Sequence, residues 1–357
     1  MYNVDKEIVT EILFGLGSEF KHMAIDNEIL CVSITMIYFD ACRFIHYLTK
    51  QCSALVVCVT TILATTMQPA KQKLLFIINP GSGDNKTDLS EVIADYFKGS
   101  GHTIELYKMP KKCAIDDLKS MIQGANADKV IAVGGDGTLK LVAECLLGTD
   151  TPIGIIPAGS ANGMAKELGI PTAPELALKN CLDGTVKTIH AVMVNDELCI
   201  HLADIGFNAY LIKKFENLQH RGMWGYAKAA WQALWSHHKM KVEFRIKDKV
   251  VKSEAAMVVI ANATMYGTGV KINPDGKLDD DVFELVLVKT YSVMEILKLK
   301  FTALKLNPEN IETFHATELS IKTKHKAHFQ VDGESMGKVN KVDAKIVKKA
   351  ISVIVPA

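Results

Sequence analysis

From residue 72 onward, short apolar runs alternate with segments whose apolar positions recur every three or four residues. The runs 74–78, 103–107, 129–133 and 153–156 read as buried strands, and the stretches of about 88–98, about 115–123, 138–147 and 161–168 read as the helices between them. Strand and helix alternating at this spacing predict a parallel sheet with right-handed crossovers. Beyond about residue 185 the rhythm changes. Residues 188–194, 198–203, 242–246, 250–261, 283–289, 319–323 and 327–331 read as strands, with Asn195-Asp196 and Lys247-Asp248-Lys249 as hairpin turns. A second, mainly antiparallel domain is therefore expected, and a last strand at about 350–355 is a candidate to return to the first domain.

The chemistry lies where the first strands end. Val130-Ile131-Ala132-Val133 runs into Gly134-Gly135-Asp136-Gly137-Thr138, and Leu139, Val142 and Leu146 then recur at helical spacing. Glycines let backbone N–H groups approach an anion closely, and a helix N-terminus favours negative charge, so this turn is a candidate phosphate cradle. Asp136 among those donors implies a bridging cation or a proton-handling acid. The run 74–78 ends in Asn79-Pro80-Gly81-Ser82-Gly83, and 153–156 ends in Pro157-Ala158-Gly159-Ser160-Ala161-Asn162-Gly163. In an open parallel sheet the carboxyl ends of the strands share one edge, so three small-residue loops can converge on one crevice.

Composition narrows the setting. The 357 residues are 48% hydrophobic and 23% charged, enough for a large core and two domains. A net charge of +1 gives no field for non-specific nucleic-acid binding. Eight cysteines without CxxC spacing suggest neither a zinc ribbon nor a redox pair, and reduced thiols in a cytoplasmic protein are the default. No GxxxxGK[ST] loop, GxGxxG fingerprint or GxSxG elbow is present.

The N-terminal segment differs from the rest. It holds Cys31, Cys42, Cys52 and Cys58 and an uncharged run from Ala54 to Thr66, shorter than the roughly 20 apolar residues of a membrane span. We read residues 1–71 as an extension, with Met67 the expected functional start and a weak membrane anchor at 54–66 the alternative. The remaining divisions expected are 72–185, the α/β domain with the candidate phosphate cradle, 186–345, the mainly antiparallel domain, and 346–357, the returning strand.

The motifs NPGSG at 79–83, GGDGT at 134–138 and PAGSANGMA at 157–165, with Val331-Asp332-Gly333-Glu334 near the C-terminus, resemble those of the diacylglycerol kinase catalytic-domain family, whose bacterial branch is related to sphingosine and ceramide kinases. The resemblance extends over residues 72–357. It implies a Rossmann-like α/β domain of the NAD kinase and phosphofructokinase type, followed by an antiparallel β-sandwich, with the active site in the cleft. It implies ATP and Mg²⁺ as cofactors and a lipid hydroxyl as acceptor, diacylglycerol first. A sphingoid base or ceramide, a soluble substrate as in NAD kinases, and a non-catalytic sensor are the alternatives. Carried over by motif, ATP would contact Asn79, Pro80, Gly81, Ser82 and Gly83, Gly134 through Lys140 (Gly134, Gly135, Asp136, Gly137, Thr138, Leu139, Lys140), and Gly159, Ser160 and Asn162. Glu334 would accept the hydroxyl proton, with Asp136 and Asp332 as further catalytic candidates. In the turn Lys277-Leu278-Asp279-Asp280-Asp281-Val282, the resemblance makes Asp280 the side-chain ligand of a magnesium ion, with carbonyl oxygens from Lys277 and Val282.

The chain departs from the family pattern at Lys140, where Asn is common, at Gly163, where bacterial members usually have Asp, and at Asn208, where Asp is common. An aromatic stretch adds a partner expectation. Trp224, Trp231 and Trp235 share one helix face by spacing, and residues 213–252 hold ten Lys/Arg against three acids. That pattern suits peripheral contact with an anionic membrane, against the alternative of a core-facing stripe with a solvated basic face. No nucleic-acid partner is expected, and the oligomeric state is left open, a homodimer included.

Overall fold

The computed structural model of the protein describes residues 71–82, 88–111, 113–206, 239–246, 249–266, 270–274, 276–290 and 310–357. Residues 71–357 form one structural unit and residues 1–70 another. Residues 1–70 of the N-terminal extension with the Met67 start, Gly83, Asn208, the stretch carrying the three tryptophans and the turn residues Lys247 and Asp248 all lie outside the described residues.

Four strands, β1 (Lys73–Ile78), β2 (Thr103–Lys108), β3 (Lys129–Gly134) and β4 (Ile153–Pro157), pair in parallel in the order β4-β3-β1-β2. Crossovers run through α1 (Leu89–Phe97), α2 (Ile115–Ala125) and α3 (Asp136–Cys145). From β1 the chain moves one way to β2 and then returns to build β3 and β4 on the other side. The carboxyl ends of β1 and β3 therefore flank a topological switch point, where such a sheet opens a crevice. Both faces of the sheet are covered, which explains the unbroken apolar runs. Leu75, Ile77, Val130 and Ala132 pack with α2 and α3, whereas Leu74, Phe76, Ile131 and Val133 pack on the opposite face with α1. Burying each such side chain contributes about 1.5–3 kcal/mol.

The helices differ from expectation at their ends. α3 begins at Asp136, two residues before the predicted 138, so the acid is part of the helix. The next helix, α4 (Gly163–Glu167), is shorter than the predicted 161–168. α5 (Pro174–Asp183) was not anticipated; it starts on a proline and buries Ala177, Leu178 and Cys181 against β4 and α1.

The second half is antiparallel. It contains β5 (Thr185–Val194), β6 (Glu197–Cys199), β7 (Leu202–Gly206), β8 (Met240–Ile246), β9 (Lys249–Ala255), β10 (Met257–Ala261), β11 (Met265–Tyr266), β12 (Val270–Lys271), β13 (Phe283–Val288), β14 (Ile311–Ala316), β15 (Glu318–Val331) and β16 (Glu334–Val355). Val258, Ile260, Phe283, Leu285 and Leu287 from β10 and β13 share one core with Phe244, Ile321 and Phe329 from β8 and β15. Asn195 and Asp196 both adopt positive φ, 47° and 67°, the conformation a two-residue hairpin turn demands. The predicted strand 250–261 is two strands separated at Ala256, and β14 was missed.

One strand connects the halves. β16 runs for 22 residues: its first half, from Glu334 to Lys345, pairs with β15, its second half, from Ala344 to Val355, pairs with β5, and Val353 lies parallel to Ile153 of β4. Among the described residues no helix is long and apolar enough to cross a membrane.

Candidate active site

The three small-residue loops meet at the carboxyl edge of the parallel sheet. Asn79 connects the first to the second: its backbone N–H donates to the Val133 carbonyl at 3.0 Å, and its Nδ2 donates to Thr138 Oγ1 at 3.1 Å. Its Oδ1 accepts from Gly81 N at 3.0 Å, which curls the loop back on itself. Pro80 and Gly81 are exposed at the tip, and Ser82 Oγ donates to the Asn79 carbonyl.

The second and third loops touch backbone to backbone. A Cβ on Gly159 would lie 2.5 Å from Gly135 Cα, and one on Gly135 would lie 3.1 Å from Gly159 Cα, so only glycines permit the approach. Behind them the residual cavity is about 10 Å³, which leaves no room for a ligand on that side. The third loop closes on Asn162, whose Oδ1 accepts from Gly159 N at 2.9 Å and whose Nδ2 donates to the Gly159 carbonyl at 2.8 Å. Ser160 stays exposed beside it. Leu139 and Thr138 are buried, so their side chains build the scaffold while the first turn of α3 carries the backbone donors. No side chain caps that N-terminus.

Asp136 fastens the loops together. Its Oδ2 accepts from Gly163 N and its Oδ1 from Met164 N, both at 3.0 Å, so its carboxylate caps α4. Gly163 also abuts His201: a Cβ there would meet the imidazole Cε1 at 2.9 Å. The departure from Asp at this position thus comes with an imidazole in the space a side chain would need.

The antiparallel half supplies the other carboxylates. Asp332 and Gly333, with φ of 50° and 90°, form the two-residue turn between β15 and β16. Asp332 Oδ2 accepts from Ile200 N at 2.9 Å, and Oδ1 accepts from His201 N and Leu202 N at 2.9 and 3.0 Å, with the Cys199 thiol donating at 3.5 Å. Burial raises its pKa against the pull of those donors. A carboxylate so occupied holds the hairpin onto the β6–β7 turn. Gln330 supports the same turn, accepting from Gly333 N at 2.7 Å through Oε1 and donating through Nε2 to buried Asp204. The turn delivers Glu334 to α3, where its Oε1 would be 3.6 Å from a Cβ on Gly137. Glu334 is more than half exposed.

Lys140 sits below it, buried, with its ammonium 3.8 Å from Glu144, 3.7 Å from Glu197 and 3.9 Å from Glu334. Glu144 and Glu197 were not singled out from sequence. The Lys140–Glu144 spacing of four was a legible signal, but Glu197 reaches the site only through the β5–β6 hairpin.

In the acidic turn, Asp279 pairs with Lys187 at 3.0 Å, and Asp281 with Lys348 at 2.8 Å and His190 at 3.6 Å. These partners lower both carboxyl pKa values. Among the described residues Asp280 accepts only from the Val282 N–H, at 3.5 Å. A carboxylate left outside the ion pairs is the ligand type a hard cation takes, and one carboxylate alone leaves most of its coordination to water and other oxygens. Among the described residues no cluster of three or more His, Cys, Asp or Glu side chains could hold a metal.

The protein is thus a two-part α/β and antiparallel β structure, whose parallel sheet opens a switch-point crevice and whose antiparallel half brings Glu334 to its edge. Residues 73–194 match the diacylglycerol kinase catalytic domain, and residues 203–355 match the YegS C-terminal NAD kinase beta sandwich-like domain. The chain belongs to the bacterial diacylglycerol kinase and YegS-like family of lipid kinases, which use ATP. It is 27% identical over 275 residues to the diacylglycerol kinase of Bacillus subtilis, covering 73% of this chain and 89% of that one. An uncharacterized Synechocystis protein is 28% identical over 253 residues, 68% of this chain, and the match spans 58% of its own length. A solved diacylglycerol kinase structure from Bacillus anthracis shares the fold with a TM-score of 0.61 at 20% identity, covering 80% of this chain and 97% of that chain.

Proposed function

We propose that the protein transfers the γ-phosphoryl group of ATP to the hydroxyl of a lipid, with diacylglycerol the leading acceptor. The observation that carries this reading is the position of Glu334 beside Gly137, at the N-terminal turn that the glycine loops build for phosphate. A proton acceptor and a phosphate cradle at one helix end are the two parts this reaction needs.

In this reading the phosphates rest on the exposed edge of the first and third loops, at Pro80, Gly81, Ser82 and Ser160, and on the backbone N–H groups of Gly135 to Gly137. Glu334 takes the proton from the lipid hydroxyl as its oxygen bonds to the γ-phosphorus, and the bond to the β-phosphate oxygen breaks, leaving ADP. Positioning and electrostatics supply most of the rate in phosphoryl transfer, which suits a site made of rigid loops and few reactive side chains. Asp136 serves by locking the third loop to α3. At the acidic turn a magnesium ion would be held by Asp280 with the carbonyls of Lys277 and Val282, and magnesium carried on ATP would offset the phosphate charge.

The test is a radiolabelled ATP assay on the full chain with Mg²⁺ and vesicles holding diacylglycerol, a sphingoid base or ceramide. Label in diacylglycerol alone supports the reading, label in a sphingolipid moves the substrate, and label in no lipid overturns it. Asp280→Asn would raise the magnesium concentration needed for half-maximal rate if the turn holds the ion, and would leave it unchanged if it does not.

A further inference from the structure

Lys140 stands where the family resemblance puts an asparagine, and the fold gives it surroundings that a nucleotide ligand would not have. Its side chain is only 5% exposed, and its ammonium faces three carboxylates from three separate elements: Glu144 of α3, Glu197 of β6 and Glu334 of β16. One positive charge against three negative ones leaves no surplus for phosphate. Burial already raises the Glu144 pKa, with Lys140 opposing that shift and Glu197 and Glu334 adding to it. Turning the ammonium toward a nucleotide would strand these carboxylates against one another.

Glu334 is the most exposed of the three carboxylates. Its side chain is 58% exposed, and among the described residues its ion-pair partner is Lys140, at 3.9 Å. Without a fixed partner, an exposed glutamate samples several rotamers. We infer that Lys140 is a positioning residue for Glu334, holding the proton-accepting carboxylate against the first turn of α3 and making no contact with the nucleotide. The catalytic meaning of that position rests on the lipid-kinase reading; the position itself does not. Among the described residues the Lys140 ammonium contacts Glu334, Glu144 and Glu197, and Glu197, Glu334 and Asp332 all act electrostatically on Glu144.

Two readouts on the full chain separate the claims. In the lipid phosphorylation assay, Lys140→Met lowers kcat by about tenfold to a hundredfold with the KM for ATP within about twofold, since a misplaced base costs turnover and not nucleotide binding. Lys140→Arg restores most of the rate. Combining Lys140→Met with Glu334→Gln slows turnover no further than Glu334→Gln alone. A rise in KM for ATP at unchanged kcat would make Lys140 a nucleotide contact and overturn the inference.

The second readout needs no lipid. Carbodiimide modifies protonated, mobile carboxyls, and mass spectrometry reads the extent at Glu334. At pH 6.5, Lys140→Met raises modification of Glu334 by about threefold, because the remaining carboxylates then repel one another and the side chain is released. Glu197→Gln, at a half-exposed position, lowers it below wild type by removing a competitor for the ammonium. If the wild-type protein labels no lipid, the kinase reading falls while this readout still decides the positioning. Equal modification in wild type, Lys140→Met and Glu197→Gln would overturn it.

Discussion

Replacing Asp136 with Asn separates a fastening role from a chemical one. In the structure both carboxylate oxygens accept, one from Gly163 N and the other from Met164 N, each at 3.0 Å. An asparagine keeps one oxygen and turns an NH₂ toward the other donor, so one backbone N–H loses its acceptor and faces a hydrogen. A hydrogen bond to a charged group contributes about 1.5–3 kcal/mol, and an unsatisfied half-buried donor costs about 1–3 kcal/mol. Allowing for solvent access to the loop, Asp136→Asn should destabilise residues 71–357 by about 2–4 kcal/mol, a lowering of the melting midpoint by about 3–7 °C. The third loop then loses its register on Gly135, and nucleotide affinity should fall with turnover. Differential scanning calorimetry and titration with a fluorescent ATP analogue measure the two effects. A variant with wild-type melting and nucleotide binding but no phosphotransfer would refute the fastening argument and make Asp136 a participant in the chemistry.

Other expected outcomes concern the turns and the ion pairs. Gly159→Ala should be more damaging than its size suggests, because its Cβ would be 2.5 Å from Gly135 Cα; nucleotide binding should drop at least about tenfold, as measured by the same titration. Gly333→Ala meets no atom within 4 Å, yet φ of 90° strains any L side chain, so it should cost about 1–2 kcal/mol by thermal melting and lower turnover by displacing Glu334. Lys348 holds the Asp281 carboxyl below its ordinary value of 3.8. A depressed carboxyl contributes stability above the unfolded value and loses it as pH falls through the folded one, so wild type should exceed Lys348→Met in stability at pH 7 and match it near the acid limit. A stability difference between the two proteins that persists in acid would place the effect of Lys348 elsewhere.

The parallel sheet was legible because its strands are buried on both faces and read as continuous apolar runs between helical periods. The N-terminus of α3 was misread by two residues because Gly134 to Gly137 looks like loop; the helix starts inside the glycines since Asp136 spends its side chain on α4 and leaves its backbone helical. α5 went unseen although Pro174 opens it and Ala177, Leu178 and Cys181 repeat at helical spacing, because the segment also reads as a plausible connection. β16 was reduced to its apolar end, 350–355, since its first two-thirds are rich in lysine and valine without a clean alternation, and its continuity is set by β5 and β15 on either side. At the site, Glu334 and Asp332 were both visible as acids in Val331-Asp332-Gly333-Glu334, but not their division of labour. That division follows from the Asp-Gly turn, which buries the first acid on three N–H donors and presents the second. The ring around Lys140 was invisible beyond Glu144, because Glu197 and Glu334 lie 57 and 194 residues away in sequence.

The most direct test of the central claim compares wild type with Glu334→Gln in single-turnover transfer from γ-labelled ATP to diacylglycerol in vesicles, with nucleotide affinity measured alongside. The account predicts labelled phosphatidate from the wild type, a fall in rate of about a hundredfold or more in the variant, and ATP binding unchanged within about twofold. Transfer by Glu334→Gln at the wild-type rate would contradict the assignment of the proton acceptor, and with it the reading of the site.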